Sequence, residues 1–195
     1  MYELYNAGHL IEAALAHNQA YENDVLLGPV LRHVELLCST FGPRQQQIHG
    51  YPGHPEIELA LLRLFDRRKD LQHLDLARYF ITERGKSDGV DGRDYYDVES
   101  EKRGDDLRKL PAFYPHPRSL WYHQAHQPIK EQMSIEGHSV RAMYLLTATA
   151  DLVRIDKAAT TEDLKQAVFR LWDSMTQRKI GPLNLPFNRR VNQPY

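Results

Sequence analysis

The sequence predicts an all-α fold of about three helical hairpins, and three observations carry that expectation. A Gly-His step recurs at Gly8-His9, Gly53-His54 and Gly137-His138, at intervals of 45 and 84 residues. After each step, apolar residues recur at helical spacing, a polar break follows, and a second helical pattern closes on Gly42, Gly85 or Gly181. No segment alternates apolar and polar residues as a half-buried strand would. Repeated helix pairs call for a repeat architecture, either an open solenoid or an arc of an α/α barrel with inner and outer rings of helices. The barrel is preferred, because a histidine opening the first helix of each pair would then gather polar groups at one end of the inner ring.

In the first unit Leu10, Ile11 and Ala14 mark one helix, and Val30, Val34, Leu37, Cys38 and Phe41 give its partner an apolar stripe. The second carries Ile57, Leu61, Leu64 and Phe65, then Leu74, Ala77 and Ile81, with Pro55 suited to a first helical position. The third has Val140, Tyr144, Thr147 and Asp151, then Leu164, Val168, Leu171, Trp172 and Met175, with Thr160 and Asp163 spaced like a capping box. Gly42 and Gly85 stand where a glycine ends a helix. Between the second and third hairpins, residues 86–132 form a long non-repeating insertion. Its first half, Lys86 to Lys109, is a mixed-charge run that reads as a solvated loop. The rest gathers Phe113, Tyr114, His116, Trp121, Tyr122, His123 and His126, suited either to stacking on a ring-shaped polar ligand or to tucking onto the barrel rim. Residues 181–195 read as an irregular basic tail.

Composition narrows the function classes. With 25 Lys plus Arg against 26 Asp plus Glu, the net charge of −1 argues against a protein that binds nucleic acid by neutralising phosphates. No stretch reaches the ~20 apolar residues of a membrane span, and the first residues show no signal-peptide pattern, so a cytoplasmic location is the default. The one cysteine, Cys38, excludes a disulfide framework or multi-thiolate metal site within this chain, and its place on an apolar stripe makes it a packing residue.

Of ten histidines, His17, His33 and His73 read as ordinary surface or partly buried residues. His9, His54 and His138 stand apart. Each follows a glycine that permits a tight entry or a close backbone approach, and each would sit in a first helical turn where the dipole disfavours a cation. Three neutral imidazoles at one mouth would suit hydroxyl groups, although capping or bridging of neighbouring hairpins explains them as well. No metal site is expected from the histidines. The carboxylates Glu3, Glu12, Glu56, Glu58, Glu131 and Glu136 show no spacing that marks a pair flanking a glycosidic bond.

The segment from Glu3 to Ala14, with its Tyr5-Asn6-Ala7-Gly8-His9 core, resembles a hallmark of glycoside hydrolase family 127, the β-L-arabinofuranosidase-like proteins. Gly50 to Leu61 is similar to a second family segment, and Pro128 to Gln132 with Gly137 to Leu145 to a third, in the same order. The resemblance extends to about Lys179. It implies an (α/α)6 barrel, of which about three hairpins are present in residues 1–180, and it implies that His9, His54 and His138 contact the sugar of a small arabinofuranoside-like saccharide. It also implies retaining hydrolysis by a zinc-bound cysteine nucleophile with a glutamate acid/base. Those residues lie beyond the matched segment in the family and have no counterpart here, so no catalytic residue, metal ligand or cofactor is assigned in this chain. The expectation is an inactive internal portion of such a barrel that self-associates through exposed edges. The alternative is a non-catalytic helical-repeat module that binds a saccharide or a protein.

Overall fold

A computed structural model describes residues 3–86, 95–104, 120–156 and 161–179. Seven α-helices run in order among them: α1 (Glu3–Tyr21), α2 (Leu27–Thr40), α3 (Ile57–Arg68), α4 (Leu71–Glu83), α5 (Tyr95–Lys102), α6 (Ser139–Ile155) and α7 (Thr161–Ser174). Short 3-10 turns at Leu120–His123 and Ile129–Glu131 precede α6, and a π turn at Met175–Lys179 extends α7. No strand occurs among the described residues; Phe41 and Ile48 make a single isolated bridge.

The hairpins form where the connections leave no alternative. Only Lys69 and Asp70 separate α3 from α4, so the chain must reverse at once. Lys69 adopts a left-handed conformation (φ 59°) and ends α3, while the Asp70 carboxylate accepts from the Gln72 amide at 3.0 Å and starts α4. In the α1–α2 connection, the Asn18 side chain donates to the Asn23 carbonyl and to Asp24. Packing then sorts the helices. α1 packs on α3 and α3 on α6, which makes an inner row; α2 contacts α4 on the outside, and each pair closes as α1–α2, α3–α4 and α6–α7. This is an arc of an α/α barrel.

α3 is the centre of that arc, and its burial reads accordingly. Ile57, Glu58, Leu59, Ala60, Leu61, Leu62 and Leu64 are all buried, the mark of a helix covered on every side over its first two turns. Around it Ile11 and Ala14 of α1, Val34 of α2, Phe80 and Ile81 of α4, and Leu145 and Leu152 of α6 complete one core. The Arg78 guanidinium donates to Asp156 at 2.7 Å and ties α4 to the end of α6.

Several local expectations need correction. His9 sits two turns inside α1 rather than in a first turn, because α1 begins by Glu3. Pro55 precedes α3 by two residues, and the Glu56 position ends the turn instead. The stripe assigned to α6 is the wrong face: Val140 and Thr147 are exposed, and the buried set is Arg141, Ala142, Leu145, Leu146, Ala148, Thr149 and Leu152. Two members of that set are polar and disguised the pattern; Thr149 satisfies its hydroxyl on the Leu145 carbonyl at 2.7 Å. Leu10 and Trp172 are likewise exposed. Thr160, Gly181, the 181–195 tail and Phe113, Tyr114 and His116 fall outside the described residues.

Candidate functional site

The structure brings His9, His54 and His138 together. Tyr5 lies one turn before His9 on α1, with ring centroids 4.5 Å apart, and the same Tyr5 ring stands 4.4 Å from His54. His54 is 6.5 Å from His138 and 5.8 Å from Tyr144 of α6, and Tyr144 lies 6.3 Å from His9. Tyr122 closes the set, 5.5 Å from His138. One histidine comes from within α1, one from the turn before α3, and one caps α6, so three inner helices meet at this cluster.

Two of the three glycines are required by what lies against them, and the third lends only its backbone. At Gly8 the missing side chain makes room for a carboxyl: a Cβ there would fall onto the Glu56 carboxylate, 2.6 Å from its Cδ and 2.9 Å from Ile57 Cα. Gly137 has a φ of +80°, and a Cβ would strike the Trp121 carbonyl. Gly53 is held by its own carbonyl, which accepts from Arg141 at 3.1 Å.

Buried cations and amides fix the loops that carry the histidines. Arg84, 1% exposed, donates to the carbonyls of Pro52 at 2.6 Å and His123 at 3.0 Å and pairs with buried Glu58 at 3.3 Å. Tyr96 of α5 donates to the same Pro52 carbonyl at 2.8 Å. The Gln124 amide donates to the carbonyls of Tyr122, Glu136 and His138, and Gln132 donates to the Gln124 carbonyl at 3.0 Å. Most of these contacts satisfy backbone carbonyls of the loops that carry His54 and His138, which is what a rigid loop needs away from water. The described part of the aromatic half, from Leu120 on, tucks onto the barrel: His123 is buried, hydrogen-bonded to Arg141, and Trp121 stacks on His126 at 4.0 Å.

Electrostatics keep the imidazoles of His54, His138 and His123 uncharged. Burial lowers His54 to about 4; the hydrogen bond from Nδ1 to the Pro55 carbonyl opposes this at 3.1 Å, and Arg141 and His138 push further down. Burial and then Arg141 lower His138 as well. His123 falls to about 3 from burial and the two guanidiniums of Arg141 and Arg84. With Nδ1–H of His54 committed to Pro55, its Nε2 presents a lone pair.

Beneath the cluster lies a group that sequence reasoning missed. His9 and Glu12 are one turn apart on α1, and Glu56 faces them from the start of α3. One ligand atom from each lies within 4.8 Å of the other two, a donor set able to hold a metal ion. A plain absence of metal sites is thus not what the fold shows, though nothing here identifies a cofactor. Burial raises Glu56 to about 8, helped by the charges of Glu12 and Glu58 and opposed by Arg63. A multi-thiolate zinc site does not fit these residues. Cys38 stands on the outer helix α2, its thiol hydrogen-bonded to the Gln72 carbonyl at 3.7 Å and pushed up to about 11 by burial. The paired signal for the missed group was Gly8 itself, which demanded a close neighbour, but the sequence does not say which residue that is. Arg84, Arg141, Glu58 and Gln124 gave no pattern signal at all.

Comparison with known proteins adds the following. The family described as β-L-arabinofuranosidase, GH127 catalytic domain, matches residues 1–180. A non-reducing end β-L-arabinofuranosidase of Bifidobacterium longum subsp. longum is 33% identical over 179 residues, covering 92% of this chain and 26% of the relative. The crystal structure of a GH127 β-L-arabinofuranosidase from Geobacillus stearothermophilus T6 superposes with a TM-score of 0.80 at 40% identity, over 91% of this chain and 26% of that one. A second GH127 β-arabinofuranosidase gives 0.68 at 28% identity, over 89% and 22%. The chain spans about a quarter of the length of the relatives it matches.

Proposed function

The chain belongs to the β-L-arabinofuranosidase GH127 catalytic-domain family, and from that premise we propose that its histidine cluster recognises a terminal L-arabinofuranosyl unit. The observation that carries this reading is the convergence of His9, His54 and His138 with Tyr5 and Tyr144 at one place on three inner helices. Neutral imidazoles both donate to and accept from hydroxyls, and they do so without the desolvation cost of a charge. His54 accepts a hydroxyl proton at Nε2, and the tyrosine rings offer apolar faces to the carbon skeleton of the sugar. Three such hydrogen bonds at a net ~0.5–1.5 kcal/mol each give a millimolar affinity at best.

Hydrolysis is not part of what this chain does alone. Its one thiol sits on an outer helix with its pKa raised to about 11, which keeps it a poor nucleophile. No carboxylate here matches the family's acid/base. Self-association is a separable part of the same reading and rests on Phe169 and Trp172, 63% and 52% exposed and one turn apart on α7. The decisive assay incubates the chain with aryl L-arabinofuranosides at neutral pH beside a binding titration. Binding without turnover, weakened in His54→Ala, supports the proposal; turnover that disappears in His54→Ala overturns its non-catalytic half. Size-exclusion chromatography giving the monomer mass across concentration would remove the self-association part.

A further inference from the structure

We propose that His9, Glu12 and Glu56 form a site for one divalent transition-metal ion, Zn2+ or a cation of similar preference, between α1 and α3. The family's multi-thiolate chemistry plays no part in it; the site shares His9 with the saccharide reading but rests on its own observations. Two observations carry it. The first is the donor geometry: an imidazole nitrogen and two carboxylate oxygens within 4.8 Å of one another. Tetrahedral ligands at about 2.1 Å from a metal stand about 3.4 Å apart, so the widest pair closes by up to about 1.4 Å, within reach of side-chain torsions in His9 and Glu12. The mixed nitrogen and carboxylate set suits Zn2+ or Mn2+, whereas Mg2+ and Ca2+ prefer all-oxygen sites.

The second observation is the Glu56 carboxyl. Its side chain is fully buried, and neither oxygen has a hydrogen-bond partner. Burying an unpaired carboxyl is costly, and such groups are normally paired or bound to a metal. The fold nevertheless makes a place for it, since Gly8 leaves free the volume that the carboxyl fills. The nearest neighbour of Oε1 with a basic atom is His9 Nδ1, at 3.5 Å, beyond a normal hydrogen bond. Glu12 is the third donor, and it is reached from solvent through a cavity of about 400 Å3 that it lines with Arg63 and Arg67. The Arg63 guanidinium pairs with Glu12, and at half exposure it can turn away when a cation enters.

The test is equilibrium dialysis of the full chain against Zn2+, against Mn2+ and against Mg2+, with the metal counted by mass spectrometry, and the d–d absorption of the Co2+-loaded chain. The expected result is one Zn2+ per chain, no matching uptake of Mg2+, and a Co2+ spectrum without a thiolate charge-transfer band. Glu56→Gln and His9→Asn each weaken Zn2+ binding by more than about tenfold, while Cys38→Ser and His33→Ala bind as the parent does. Arg63→Gln, which removes a competing cation, tightens it. Circular dichroism checks each fold; should Glu56→Gln fail to fold, His9→Asn and Glu12→Gln decide. No stoichiometric Zn2+, binding unchanged in His9→Asn, or binding lost in Cys38→Ser overturns the proposal.

Discussion

Replacing Gly8 by alanine tests the packing of the site by the sign of a stability change. At an open position inside a helix, Gly→Ala stabilises by about 1 kcal/mol, because alanine loses less backbone entropy. Gly8 lies inside α1 (Glu3–Tyr21), so that gain applies here too. Against it stand the Glu56 carboxyl, with Cδ 2.6 Å from the new Cβ, and Ile57 Cα at 2.9 Å. The carboxyl can rotate, but a backbone carbon cannot, and α1 and α3 must part by a few tenths of an ångström. Overpacking of this kind costs about 1–3 kcal/mol. The net expectation is a destabilisation of up to about 2 kcal/mol, seen as a fall in Tm of up to about 8 °C by circular dichroism. The double variant Gly8→Ala with Glu56→Ala removes the flexible part of the clash, so the two changes together cost about 1 kcal/mol less than their sum. A Tm that rises in Gly8→Ala, or strict additivity in the double variant, would refute the reasoning.

Gly137→Ala places a side chain at φ +80° and onto the Trp121 carbonyl, and chemical denaturation should show a loss of about 2–4 kcal/mol; a loss below 1 kcal/mol would mean that the turn relaxes freely. Arg84→Met leaves buried Glu58 without its cation and should cost about 3–5 kcal/mol, much of it recovered in Arg84→Met with Glu58→Leu. If the single change is harmless, the buried pair does not hold the Pro52 loop. His54 and His123 bind protons in the unfolded chain near 6.5 but in the folded chain only near 4 and 3. The unfolded state therefore takes up more protons as pH falls below 6.5, and stability declines from there toward pH 4. NMR titration showing either imidazole protonated at pH 6 in the folded chain would contradict this.

The recurring Gly-His step read the architecture and the meeting of three histidines correctly, because apolar periodicity reports which faces are buried, and a motif shared by three helix pairs reports equivalent positions. Its reading of the glycines as places of tight entry or close approach holds at Gly8 and Gly137, but it could not name what approaches them. Gly8 answers to Glu56, 48 residues away, and Gly137 to the Trp121 carbonyl, and neither partner has a local signature. The buried network of Arg84, Glu58, Arg141 and Gln124 was illegible for the same reason: a charged residue reads as surface until its partner is known. The α6 stripe failed because Arg141 and Thr149 occupy core positions with polar side chains, Arg141 satisfied by the distant Gly53 carbonyl and Thr149 by the Leu145 carbonyl one turn back.

The most direct test of the account is NMR of imidazole side chains in the isotopically labelled chain during titration with methyl β-L-arabinofuranoside. Saturable, millimolar shifts at His9, His54 and His138, with the exposed His33 and His49 unmoved, are the predicted result. Silence at all three cluster histidines, or shifts confined to histidines outside the cluster, would contradict the claim that these converged imidazoles form a saccharide-binding wall.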